Sequence, residues 1–299
     1  NSASVAGTAI AAWDNGNLAI AWTRPIYGGT TQHVLALSTY DGSTWTTQDI
    51  DTSSRTGYRP SIAIDNQGAL HIAYLDRDNT NLRYATNASG SWVLSTLDNS
   101  SVNPNNDAAK TGIAIDNRGH VHIIHPVQGS SVWVLNYTTN VSGSFVSTTI
   151  TDTTKDDGKY ASLAIAGNGS LHISVYRDSG GSDLRYYTDE SGVWTNETVH
   201  TGNNYGKDSA IALNSKDEVV IVYRKDDAAD DIYMSVGNRG SWTSSLVASN
   251  RYASYLAVAI DSNDDVHISS HNIRSQSGYC CNKDLEYFTN SSGSWVRTT

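Results

Sequence analysis

The chain has 299 residues, and only 17% of them are charged, against about a quarter in ordinary globular proteins. Its 30 acids comprise 26 Asp and four Glu, with seven Lys and one Met, so strong helix formers are scarce and turn-favouring Asp, Gly, Ser and Thr abound. This excludes a helical bundle and predicts an all-β fold. The net charge of -10 offers no basic face to nucleic acid, and no apolar run approaches the roughly 20 residues of a membrane-spanning helix.

In chain order, one short segment recurs. Ala9-Ile-Ala-Ala-Trp13 is followed by Ser61-Ile-Ala-Ile-Asp65, Gly112-Ile-Ala-Ile-Asp116, Ser162-Leu-Ala-Ile-Ala166, Ala210-Ile-Ala-Leu-Asn214 and Ala257-Val-Ala-Ile-Asp261. A second apolar run starts after each, at Leu18, Leu70, Val121, Leu171, Val219 and Val266, with steps of 52, 51, 50, 48 and 47 residues. Six repeats, at about 8–50, 60–98, 111–151, 161–200, 209–248 and 256–299, fill the chain as one domain, 1–299. Each reads as four strands, A to D. In the second repeat, strand A alternates Ile62 and Ile64 with Ala63, and a turn ends at Gly68. Strand B runs from Leu70 to Tyr74, strand C from Leu82 to Thr86, and strand D carries Trp92. Four antiparallel strands per period of about 40 to 50 residues predict a six-bladed β-propeller. A solenoid is the competing architecture, but neither end resembles a capping repeat.

These repeats resemble those of secreted bacterial β-propeller proteins, of the style S-L-A-L-D-x-x-G-x-x-H-I-x-Y, then D-L-x-Y-A, then S-W. Here the pattern stands as Ser61 to Tyr74, Leu82 to Ala85 and Ser91-Trp92. The chain is also similar in repeat style to lectin-like propellers. The resemblance implies the fold and an extracellular setting, which a chain opening on Asn1 rather than Met also suits. It specifies no activity, because propellers host many.

Loop lengths point to a working face. A–B and C–D spacings are constant, whereas B–C spacings run from 12 to 19 residues. The B–C and D–A loops share one face, so that face is expected to carry function. The longest B–C loops belong to the first and last repeats. They offer Arg24, Tyr27, His33, His271, Arg274, Tyr279 and Lys283 as candidate ligand-binding residues for a polyhydroxylated ligand. The adjacent Cys280 and Cys281 are expected to form a vicinal disulfide in an oxidising compartment; two free thiols are the alternative. Asp178 with Asp183, and Asp226 with Asp231, bracket B–C loops as candidate calcium ligands, although Asx turns explain the same pattern.

Strand B repeats a histidine at His71, His122, His172 and His267, replaced by Ala19 and Val220 in two repeats. Six-fold placement keeps these apart, so they are expected to be buried and hydrogen-bonded rather than to share a metal. The strand D aromatics Trp45, Trp92, Phe145, Trp194, Trp242 and Trp295 are expected in the core. Ser38 to Trp45 resembles the Asp box of sialidase propellers, with the Asp one place late. Catalytic carboxylates are scarce, the Glu residues being Glu190, Glu197, Glu218 and Glu286. The expectation is a non-catalytic extracellular module that binds glycans or copies of itself, with calcium assisting polymerisation. A propeller polysaccharide lyase or glycosidase is the alternative.

Overall fold

The computed structural model describes residues 7–26, 32–53, 55–100, 106, 108–129, 132–202, 204–227, 230–249, 253–274 and 282–299, with the side chains of 273, 274, 282 and 283 outside the description. The chain divides into two compact units, residues 1–153 and 154–299. Every described element is a β-strand.

The first unit holds β1 (Thr8–Ala12), β2 (Leu18–Ile26), β3 (Gln32–Tyr40) and β4 (Trp45–Asp51), paired in that order and antiparallel. The second repeat repeats the meander in β5 (Tyr58–Ile64), β6 (Leu70–Asp76), β7 (Asn81–Thr86) and β8 (Val93–Asp98). The third does so in β9 (Gly112–Ile115), β10 (Val121–Gln128), β11 (Trp133–Thr139) and β12 (Val146–Thr149).

In the second unit the meanders are β13 (Asp157–Ile165), β14 (Leu171–Arg177), β15 (Asp183–Thr188) and β16 (Thr195–His200), then β17 (Tyr205–Leu213), β18 (Val219–Lys225), β19 (Ile232–Asn238) and β20 (Ser241–Ala248). The last is β21 (Ala253–Ile260), β22 (Val266–Arg274), β23 (Asn282–Thr289) and β24 (Val296–Thr298).

Four of these meanders are discrete four-stranded sheets, β1–β4, β5–β8, β17–β20 and β21–β24, where the repeat count predicts six. In the third meander the edge strand β12 pairs with Asn136–Thr139 of β11.

Within each unit the first strand of a repeat packs on the first two strands of the repeat before it. β5 lies on β1 and β2, and β9 on β5 and β6; β17 lies on β13 and β14, and β21 on β17 and β18. That is a propeller arrangement of sheets, and it explains why strand B is apolar at both parities. Leu70 to Leu75 are all buried, because each sheet is covered on two faces. One core joins Leu35 and Leu37 to Ile72 and Tyr74, and another joins Leu75 and Tyr84 to Ile123 and Trp133.

Strand A is longer than the repeat motif implies, because a bulge extends it. Arg59, Tyr160, Asp208 and Tyr255 take positive φ at the same place in four repeats, beside register shifts. Gly57 and Gly206 precede two of these bulges, with φ of +80 and +113. A Cβ at Gly57 would lie 2.6 Å from Leu35 Cα, so the close approach of successive repeats requires glycine there.

The strand D aromatics depart from expectation. Trp92, Phe145, Trp242 and Trp295 are half-buried at the margins of the cores, and Trp45 is 51% exposed. They flank the outermost strand of each sheet, where a neighbouring repeat covers them only in part.

Candidate functional site

Four histidines of strand B behave alike. His71 Nδ1 lies 2.5 Å from Tyr84 Oη, and His122, His172 and His267 make the same pair with Tyr137, Tyr186 and Tyr287 at 2.5 to 2.6 Å. In three repeats the acid of the A–B turn faces the other nitrogen. His71 Nε2 is 3.1 Å from Asp65, His267 Nε2 is 3.3 Å from Asp261, and His122 Nε2 is 3.7 Å from Asp116. Burial would raise Asp65, but the hydrogen bonds from His71, Ala69 and Gln67 hold it below the usual carboxylate range. The Asp–His–Tyr unit is therefore a structural pin repeated around the fold.

The first repeat breaks this pattern at all three places. Trp13 stands where the turn acid would be, Ala19 replaces the histidine, and Leu37 replaces the tyrosine. Two smaller side chains leave space, and a cavity of about 330 Å³ opens between the first and second repeats. Trp13, Tyr40 and Trp92 supply its aromatic surfaces. The Trp13 indole N–H donates to Gly68 O at 3.0 Å, which fixes that ring across the two repeats. Asn15, Asn17, Gln48 and Asn87 add amides, and Thr39, Thr44 and Thr46 add hydroxyls.

Asp41 is the cavity's carboxylate. Its Oδ1 accepts from Ser43 N, Ser43 Oγ and Thr44 N at 2.8 to 2.9 Å, and its Oδ2 accepts from Thr44 Oγ1 at 3.0 Å. These bonds from Thr44 and Ser43 hold Asp41 well below the usual carboxylate range. An acid kept ionised and locked in its own turn cannot deliver a proton at neutral pH. The Asp-box-like segment thus builds a turn.

This cavity sits at the A–B and C–D turns, the face of constant loop length. Loop lengths pointed to the variable face, and this candidate site lies on the other one. Constant turns hold side chains from two repeats in a defined geometry, which loops of differing length do not.

The candidates on the variable face have other commitments. Arg24 pairs with Asp49, its Nε donating to Oδ1 at 2.8 Å. His33 is buried, with Nδ1 2.8 Å from Tyr58 Oη, and burial lowers its pKa, aided by Arg77 and Arg55. In the second unit, His271 Nδ1 is 3.4 Å from Ser254 Oγ, and its ring meets Tyr255. Tyr27, Tyr279, Cys280 and Cys281 lie outside the described residues, as do the side chains of Arg274 and Lys283.

The proposed calcium ligands mostly have basic or backbone partners. Asp178 accepts from Lys159 Nζ at 2.7 Å, and Asp183 Oδ1 accepts from the Gly202 N–H at 3.1 Å. Asp226 pairs with Lys207 and accepts from Arg224 at 2.8 Å, while Asp231 O accepts from the Lys225 N–H at 2.9 Å. Among the described residues, no three His, Cys, Asp or Glu side chains are grouped to hold a metal ion.

No family model and no curated protein matches the chain. Solved structures do match, at low identity. A protein of unknown function from Dyadobacter fermentans is 12% identical with a TM-score of 0.65, over 94% of this chain and 93% of that one. The Aleuria aurantia lectin, as a point mutant in complex with Fucα1-6GlcNAc, is 13% identical with a TM-score of 0.62, over 98% and 94%. An α-L-arabinanase of Penicillium chrysogenum, complexed with arabinobiose, is 12% identical with a TM-score of 0.62, over 95% and 94%. At such identity the likeness is one of fold, shared by a lectin and a glycosidase alike.

Proposed function

We propose that this chain is a secreted, non-catalytic, six-bladed propeller that binds neutral glycans at the cavity between its first two repeats. The carrying observation is the lining of that cavity. Apolar ring faces of Trp13, Tyr40 and Trp92 meet amide and hydroxyl groups, which together suit the mixed apolar and hydroxylated surfaces of a sugar. The lectin among the structural matches supports the same reading.

A glycan array followed by calorimetry tests it. Trp92→Ala is expected to weaken the selected glycan by at least tenfold, about 1.4 kcal/mol. Asn15→Ala, on an exposed turn, is expected to weaken it without loss of folding. Binding that survives both substitutions would sink the proposal.

The competing reading is hydrolysis or elimination, which the arabinanase-like fold keeps in view. Glu286 is fully buried against Asn272 and Arg297, Glu218 is bonded to Asn214, and Glu197 caps Gly240 and Trp242. Among the four Glu residues, Glu190 is left as the candidate acid. No turnover of aryl glycosides is expected; turnover abolished by Glu190→Gln would replace this proposal with an enzyme.

Calcium-assisted assembly is a separate part of the proposal, motivated by the acidic B–C loops. Calcium would have to displace Lys159 from Asp178 and Lys207 from Asp226. A melting midpoint higher in millimolar CaCl₂ than in EDTA, at matched ionic strength, is the expected result. Equal midpoints and unchanged particle size remove it.

A further inference from the structure

The fourth repeat breaks the Asp–His–Tyr pin in a different way. Ala166 stands where the turn acid would be, while His172 and Tyr186 are retained. Nothing among the described residues hydrogen-bonds His172 Nε2. A cavity of about 300 Å³ opens beside it, between the fourth and fifth repeats. Glu190, Lys216, Asp217 and Arg239 also line this cavity, and all four are exposed. None of them closes a salt bridge among the described residues; Lys216 acts on Asp264 only at longer range.

From this cavity we infer a second binding site, for a hexuronate unit of an acidic polysaccharide. Two cations and two carboxylates around one cavity define the charge of the ligand. A monoanionic carboxylate suits Arg239, whose fork receives it in bidentate fashion, with Lys216 adding charge. A dianion such as a phosphate monoester would be repelled by Glu190 and Asp217. Those two carboxylates instead accept ring hydroxyls, of which a uronate has several. Burial lowers the His172 pKa against the pull of Glu190, Asp189 and Asp217, so its imidazole is neutral at pH 7. In the tautomer in which Nδ1 accepts from the Tyr186 hydroxyl, Nε2 carries the proton and can donate into the cavity. The site does not depend on the neutral-sugar cavity of the first unit, because it shares no residue with it.

Calorimetry of the full chain with a galacturonate trimer, and with its fully methyl-esterified form, tests this. The ester keeps the rings and removes the charge. The acid is expected to bind about tenfold or more tightly than the ester. Arg239→Ala should weaken the acid by a similar factor. Ala166→Asp, which introduces the residue of the second, third and sixth repeats and gives His172 a partner, should also remove binding, with the fold checked by circular dichroism. Trp92→Ala should leave it unchanged. Equal affinity for acid and ester, no binding of either, or loss confined to Trp92→Ala would each overturn the inference.

Discussion

Arg224→Ala is expected to destabilise the protein by about 3 to 5 kcal/mol, the usual cost of removing one partner from a buried ion cluster. The Arg224 side chain is 13% exposed and reaches three carboxylates. Its Nε is 3.2 Å from Asp208, and its Nη1 lies 2.8 Å from Asp226 and 2.6 Å from Asp230. Burial alone would lower the Arg224 pKa, but Asp208, Asp230 and Asp226 outweigh it and raise it further. Without the guanidinium those carboxylates face one another. Asp230 is already raised by its burial, with Asp226 and Asp227 pushing the same way. The double variant Arg224→Ala/Asp230→Asn should therefore recover part of the loss. Urea unfolding of the single and double variants measures both effects. A single-variant loss under about 1 kcal/mol, as for an ordinary surface pair, would show that the cluster is not a stabilising hub.

Asp98→Asn is expected to remove a large part of the protein's sensitivity to acid. Asp98 ends strand D of the second repeat and receives groups from the third. Its Oδ2 accepts from His125 Nε2 and Asn136 Nδ2, each at 3.0 Å, and its Oδ1 accepts from Ser100 N at 2.7 Å. Burial would raise the Asp98 pKa, but the bonds from His125, Ser100 and Asn136 prevail and hold it well below the usual carboxylate range. A carboxyl depressed in the folded state stabilises the fold above its unfolded value, near pH 4. That stability is lost as pH falls through the lower folded value. Wild type should thus exceed Asp98→Asn most at neutral pH, and the gap should close below about pH 4. His125 is fully buried and its Nδ1 has no partner, so Asp98→Ala would strand both ring nitrogens and cost about 1 to 3 kcal/mol more. A gap that stays constant from pH 7 to pH 2 would overturn the assignment.

The four-strand repeat was legible in the residues because it depends on local patterning. Alternation such as Ile62-Ala63-Ile64, and turns such as Asp65 to Gly68, act within a few residues. The bonded state of the strand B histidines was legible too, since a polar residue on a strand covered on both faces must find a partner; His71, His122 and His172 are buried as expected, whereas His267 is only half-buried. The Tyr84 partner of His71 was not, because it depends on the pairing of β6 with β7. The bulges at Arg59 and Tyr160 also escaped, as neither residue type favours positive φ; the close approach of successive repeats imposes it.

The candidate site divides in the same way. The sequence alone determined that six similar units share an A–B turn, and that the first, fourth and fifth depart from its acid at Trp13, Ala166 and Asn214. It also showed Ala19 in place of a histidine. What it could not decide is which departures matter, since a replaced residue leaves either a filled gap or a cavity. Only the tertiary structure decided that. Packing of the second repeat against the first places Trp92 opposite Trp13 and leaves the space beside Leu37 open. Packing of the fifth against the fourth brings Lys216 and Arg239 to the vacant side of His172. Cavities form between repeats, from residues distant in the chain such as Trp13 and Trp92 or His172 and Arg239, and their contents depend on contacts that local sequence pattern does not encode.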